Sequence, residues 1–123
     1  MTMSDANDKF LVHCQEGENN LERATISLIL ATTASKTCEA ALFVTADATE
    51  LFVKGRLAGL QAPGHEPLED LVNQYQANGG QIWICPVCVK VKGLSADDFI
   101  DGVEIAGAPR AMAFLSSGGH MLA

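Results

Sequence analysis

Three short apolar runs constrain this chain most: Lys9 to Cys14 (KFLVHC), Glu39 to Thr45 (EAALFVT) and Gln81 to Cys85 (QIWIC). Each reads as a buried strand, and each pair is separated by enough chain for a helix. Parallel neighbours need such a crossover, whereas antiparallel ones are joined by a tight turn. The intervening segments carry helical spacing. From Asn20 onward Leu21, Ala24, Leu28 and Ala31 recur at three and four, with Glu22 placed to oppose the helix dipole in the first turn. Asp47 is positioned to cap a second helix carrying Leu51, Phe52 and Leu57. Gln61 to Pro67 (QAPGHEP) is a surface connection, because its two prolines and glycine interrupt either periodicity. Pro67 then opens a helix marked by Leu68, Leu71, Val72 and Tyr75, and Gly79-Gly80 stop it. Val103 to Ala106 and His120 to Ala123 are weaker fourth and fifth strands. Between them, Ala111, Met112, Phe114 and Leu115 mark a helix over Pro109 to Ser117.

Near-strict alternation of strand and helix predicts a three-layer α/β/α sandwich around a mostly parallel five-stranded sheet. With 123 residues the chain is long enough for one core and one domain, expected over residues 9–123 behind a poorly ordered tail at 1–8. An apolar content of 48% argues against a disordered chain. Eight basic residues against fifteen acidic ones give a net charge of −7, which repels a phosphate backbone and argues against nucleic acid as a partner. No apolar run reaches membrane-spanning length and the first nine residues are polar, so a cytoplasmic protein with no membrane partner is expected.

In open parallel sheets, reactive groups gather at the carboxyl ends of the strands. Cys85-Pro86-Val87-Cys88 lies at such a place, directly after QIWIC. If Pro86 opens a short helix, the free amides of Val87 and Cys88 face a thiolate on Cys85, and Lys90 and Lys92 add local positive charge. Four readings of the pair compete. A zinc site lacks a second Cys-x-x-Cys or a closely spaced His pair, so no metal is expected. A thioredoxin-like motif normally follows an early strand, whereas this one comes after three strand–helix units. The remaining readings are two small buried hydrophobes, or a nucleophilic, sulfur-carrying cysteine.

Cys85 to Gly93 (CPVCVKVKG), Asn19 to Ala24 (NNLERA), Gly59 to Leu68 (GLQAPGHEPL) and Asp101 to Gly107 (DGVEIAG) occur in that family's order and together resemble the DsrE/DsrF-like family, small proteins related to the DsrE and TusD sulfur-relay subunits. The resemblance runs from Lys9 to Ala123. It implies a parallel α/β fold, homo-oligomers such as trimers or hexamers, no cofactor, and a cysteine that takes sulfane sulfur as a persulfide and passes it to a partner. By position that role falls on Cys85. Cys88 matches a second cysteine found in part of the family, which either resolves a persulfide as a disulfide or packs. Some relatives carry a peroxiredoxin-like label that reflects reactive-thiol chemistry. Asp47-Ala48-Thr49 departs from the glycine-containing turn expected after the second strand.

The other titratable residues carry bland expectations. His13 packs at the end of the first strand, His65 sits in an exposed loop with access to Cys85 only if that loop folds over, and His120 opens the last strand without a partner. Cys14 and Cys38 read as buried thiols, and Trp83 as core or subunit interface. The segment after the first strand, EGENN, lacks the glycine spacing of a phosphate loop. Two functions follow: a DsrE-like sulfur carrier or sulfurtransferase acting through Cys85, with a sulfur-donor or acceptor protein as partner, or a non-catalytic homo-oligomeric binding module for a small ligand or partner protein.

Overall fold

A computed structural model describes residues 8–122, and residues 1–7 of the expected tail lie outside it. Five strands, β1 (Lys9–Cys14), β2 (Glu39–Val44), β3 (Gln81–Ile84), β4 (Val103–Ile105) and β5 (Gly119–Leu122), form one sheet in the order β4-β3-β2-β1-β5. Every pairing is parallel, so the sheet expected to be mostly parallel is entirely so. The helices are α1 (Leu21–Ser35), α2 (Leu68–Ala77), α3 (Pro86–Val91) and α4 (Ala108–Ser116).

The strand order fixes which helix lies on which face. From β1 to β4 the chain steps steadily toward one edge, so right-handed crossovers put their helices on one side. The step from β4 to β5 runs back across the whole sheet, and the same handedness sends α4 to the opposite side. The core divides accordingly. Val12, Leu42, Val44, Ile82 and Ile84 pack against Ala24, Leu28 and Ala31 of α1 and Leu71, Val72 and Tyr75 of α2. Leu11, Ala41, Phe43 and Trp83 pack with Ala111 and Phe114 of α4 on the other face. One face is thickly covered and the other thinly.

Helix α1 begins where its caps predict: the Asn20 side chain accepts from the Arg23 N–H. The helix expected from Asp47 takes another form. Residues Ala46–Phe52 make a 3₁₀ helix, with Thr45 rather than Asp47 at its start, and Leu57 lies beyond it. At three residues per turn Ala48 stacks under Leu51 and Thr49 under Phe52, so both pairs point into the core together, and all four are buried. Gly17 explains itself by the same element: a Cβ there would stand 2.3 Å from the Asp47 carbonyl oxygen, so the loop after β1 presses backbone to backbone against the 3₁₀ helix.

Tyr75 anchors the end of α2. It is fully buried, and its hydroxyl donates to the Gln81 carbonyl at 2.6 Å, tying helix to strand across the Gly79-Gly80 turn. A Cβ on Gly80 would lie 2.4 Å from the Tyr75 ring, which the hydrogen bond and the surrounding core hold in place. Gly80→Ala is therefore expected to cost about 1–3 kcal/mol by overpacking, read as a lowered midpoint in urea unfolding. An unchanged midpoint would show that the ring yields freely.

Candidate functional site

The carboxyl edge of the sheet gathers the residues that the sequence singled out. Cys85 follows the last residue of β3, its N–H donating to the Val44 carbonyl at 3.0 Å, so the sheet's hydrogen bonding continues to its backbone. Its side chain falls on the thinly covered face, packed with Ala106 and Leu115 against the Trp83 cluster. It is half-buried. Pro86 takes the first helical position of α3, as expected, and the Val89 N–H closes the first turn onto the Cys85 carbonyl at 3.1 Å. The Cys85 sulfur accepts none of the α3 amides.

Cys88, one turn on, is placed differently. Its sulfur accepts a hydrogen bond from the Ala46 N–H at 3.3 Å, a donor supplied by the loop after β2. Ala46 has φ of 52°, in the left-handed region that costs a side-chain-bearing residue roughly 1–2 kcal/mol. This is where the expected glycine turn is missing, one residue before Asp47. Nothing in the identity of an alanine announces such a conformation, so this donor was invisible in the sequence.

The two lysines separate. Lys90 is exposed in the last turn of α3. The Lys92 ammonium bonds Glu50 at 3.1 Å and lies 3.8 Å from Asp47. The Glu50 hydrogen bond raises its pKa, with the charges of Glu50, Asp47 and an ionised Cys88 adding to the effect. Lys92 therefore ties α3 to the 3₁₀ helix within electrostatic reach of the Cys88 sulfur.

Other candidates lie apart from the pair. His65 faces Glu22 at 3.5 Å, on the α1 side, and does not approach Cys85. His13 stacks on Phe43 with ring centroids 5.3 Å apart, and its Nε2 pairs with the Thr45 hydroxyl at 2.8 Å. Burial lowers its pKa. The β2–β3 register, extended one step past Val44↔Ile84, sets Thr45 beside Cys85, so His13 ends one residue away from the site. His120 tilts against Phe10 at 5.5 Å. Cys14 is fully buried as expected, and burial pushes its thiol up to about 12, which keeps it protonated and inert. Cys38 is half-exposed rather than buried, because it sits in the turn leaving α1, next to the Thr37 hydroxyl. Among the described residues no group of three His, Cys, Asp or Glu side chains is arranged to hold a metal ion, and no helix is long and apolar enough to cross a membrane.

Trp83 lies in the core beneath α4, with the Arg110 guanidinium 4.8 Å above its ring and Phe114 edge-on at 5.5 Å. Arg110 also pairs with Glu104. The Trp83 indole nitrogen is buried without a hydrogen-bond partner, and its ring borders a cavity of about 230 Å³ with Gln81, Arg110 and Ser117.

Comparison with known proteins places this geometry in a family. The chain is 28% identical over 110 residues to the uncharacterized protein MJ0760 of Methanocaldococcus jannaschii, covering 89% of this chain and 40% of that protein, so it spans well under half of that relative's length. It is 35% identical over 101 residues to the uncharacterized protein MK0008 of Methanopyrus kandleri, covering 80% of this chain and 79% of the other. Two solved structures share the fold. The YchN protein of E. coli superposes with a TM-score of 0.75 at 21% identity, over 94% of this chain and 99% of that one. The protein of unknown function MTH1491 from Methanobacterium thermoautotrophicum gives 0.70 at 13% identity, over 94% and 98%. The family model described as DsrE/DsrF-like matches residues 8–123, and with a parallel sheet that ends in a cysteine at the carboxyl edge of β3, the chain belongs to the DsrE/DsrF-like family.

Proposed function

We propose that this protein handles sulfur, accepting sulfane sulfur on Cys85 as a persulfide and giving it to a partner's thiol. The observation that carries this reading is the position of Cys85: its backbone is fixed by the sheet through the Val44 carbonyl, while its side chain is half-exposed at the carboxyl edge. Sulfur transfer asks for a thiolate that attacks a sulfane sulfur and for an outer sulfur that a second thiolate can reach. A fixed backbone with a partly exposed side chain suits both demands. Val87 and Val91, 66% and 79% exposed, flank the site on the outer side of α3 and offer an apolar surface to a donor or acceptor protein.

Self-association belongs to the same proposal. The single helix α4 leaves Met112 63% exposed and, on β5, Met121 51% exposed. A homotrimer or hexamer would bury such surface, each methionine being worth about 1.5–3 kcal/mol when fully covered. Four cysteines, none of them in a disulfide, suit the reducing cytoplasm, where we place the protein. A second reading, a non-catalytic homo-oligomeric module that binds a small ligand, draws on the cavity beside Trp83. The indole N–H there is without a partner, and the Arg110 guanidinium adds a cationic donor at the cavity wall.

In a Cys88→Ser background, treatment with inorganic tetrasulfide followed by desalting is expected to leave the protein heavier by sulfur atoms, and a further Cys85→Ser change should reduce that uptake at least about tenfold. Intact-mass measurement reads both. Equal uptake with and without Cys85, or none in either, would favour the binding module. Light scattering at micromolar concentration is expected to give the mass of a trimer or hexamer, and a monomer would contradict the oligomeric part.

A further inference from the structure

The cavity of about 230 Å³ beside Trp83 lies between α4 and the first residues of β2 and β3. The strand register gives it two ends. Phe43 is the partner of Trp83, and Glu39 comes four residues before Phe43, so Glu39 stands about 13 Å along the sheet from the Trp83 level. Gln81 and Glu39 both precede that level, which carries the cavity toward the amino end of the sheet, while Cys85 lies beyond Trp83 on the carboxyl side. At the Glu39 end the polar groups are engaged within the protein. Lys9 is the register partner of Glu39 and offsets its charge. The Lys9 ammonium donates to the Ser117 hydroxyl at 2.9 Å, and that hydroxyl donates to the Phe114 carbonyl at 2.8 Å.

The Trp83 end is different. Trp83 is 1% exposed, yet its indole N–H has no acceptor. A buried donor left unpaired has lost its bond to water without return. Over the same ring lies the Arg110 guanidinium, of which Glu104 takes Nη1, so Nη2 and Nε have no side-chain partner among the described residues. The Arg110 and Glu104 side chains are half-exposed, and an exposed pair of this kind is held weakly. Glu104 also shows what this guanidinium takes, a carboxylate. The walls are apolar, with the Phe114 ring edge-on to Trp83 at 5.5 Å. A guanidinium fork and an indole N–H, both donors only, match a head group that only accepts, carried on an apolar body.

We propose that this cavity binds a small carboxylate with an apolar body, its oxygens taking the Arg110 fork and the Trp83 indole N–H and its body lying along Phe114 toward Ser117. This rests on the reading of the protein as a small-ligand module, to which it gives a ligand class, and it holds whether or not Cys85 carries sulfur. The net charge of −7 does not forbid an anion here, because distant surface charges are screened over about 8–10 Å in physiological salt. A neutral amide of the same shape brings an NH₂ to a wall of donors, and an ammonium meets the guanidinium with like charge.

Trp83 is the only tryptophan of the chain, so its emission reads this site alone. Titration of the full chain with benzoate, with excitation at the red edge where benzoate does not absorb, is expected to give a saturable one-to-one change. Benzamide and benzylammonium should bind at least about tenfold more weakly. Calorimetry, which needs no fluorophore, compares the variants. Arg110→Gln and Trp83→Phe are each expected to weaken benzoate at least about tenfold, whereas Glu104→Gln, which frees the guanidinium, leaves it as tight or tighter. Unchanged circular dichroism spectra exclude a folding defect as the cause. Benzamide bound as tightly as benzoate overturns the carboxylate class and leaves the small-ligand reading standing. Benzoate binding undiminished in both Arg110→Gln and Trp83→Phe places it elsewhere and overturns the site. No saturable response to any of the three probes removes both the site and the small-ligand reading. Emission that follows protein concentration but not benzoate assigns the cavity to subunit packing, which also overturns the proposal.

Discussion

The handedness of one crossover shapes this molecule. With the strands ordered β4-β3-β2-β1-β5, the connection from β4 to β5 must travel back over the sheet on the side opposite the first helices. A fifteen-residue α1 and a ten-residue α2 share one face, and among the described residues the nine-residue α4 is the helix on the other. Successive side chains alternate faces, so Ile84 joins the thick core while Trp83 and Cys85 join the thin one. A one-residue change of register in β3 would bury the cysteine under α2 and end its access to solvent.

The thin face also explains why Trp83 needs its particular neighbours. A large ring under a single helix gains part of its cover from a charged side chain, and Arg110, fixed by Glu104, lies across it. Such a cation over an indole is worth about 0.5–1 kcal/mol at an exposed site, rising when water is excluded. The same arrangement leaves the indole N–H without an acceptor. Packing has been satisfied at the expense of hydrogen bonding, which marks this face as the part of the molecule that is least complete by itself.

The strands and the placement of Cys85 were legible in the sequence because period, length and punctuation all agreed: KFLVHC, EAALFV and QIWI are mostly apolar, as strands covered on both faces are. The segment from Ala46 to Phe52 was not, because Ala48, Thr49, Leu51 and Phe52 fit an α-helical stripe as well as a 3₁₀ one, and tertiary burial of both pairs decided between them. Cys38 was misjudged for a related reason. It stands beside an apolar strand but belongs to the turn before it, where exposure follows from the backbone path. The donor to Cys88 left no trace, since a left-handed alanine has the same letter as a helical one. Distances between sequence neighbours were readable, then, while contacts across the carboxyl edge depended on a conformation that the residue type disfavours.

Helix α3 carries these constraints to the carboxyl edge of the sheet. Six residues are too few to be stable alone, and only Val89 of the six is buried. What fixes the helix is at its two ends: the Cys85 backbone is bonded to β2, and beyond the far end the Leu94 N–H returns to the Val89 carbonyl at 3.0 Å, with Lys92 bonded to Glu50. Between these anchors the outer side carries Val87 and Val91, and the inner side presents Cys88 to Ala46. Exchange at sulfur needs attacking, central and leaving atoms near one line, which a freely moving turn would rarely offer. A short helix pinned to the sheet at the first cysteine, and to the neighbouring loop at the second, fixes the backbone of both.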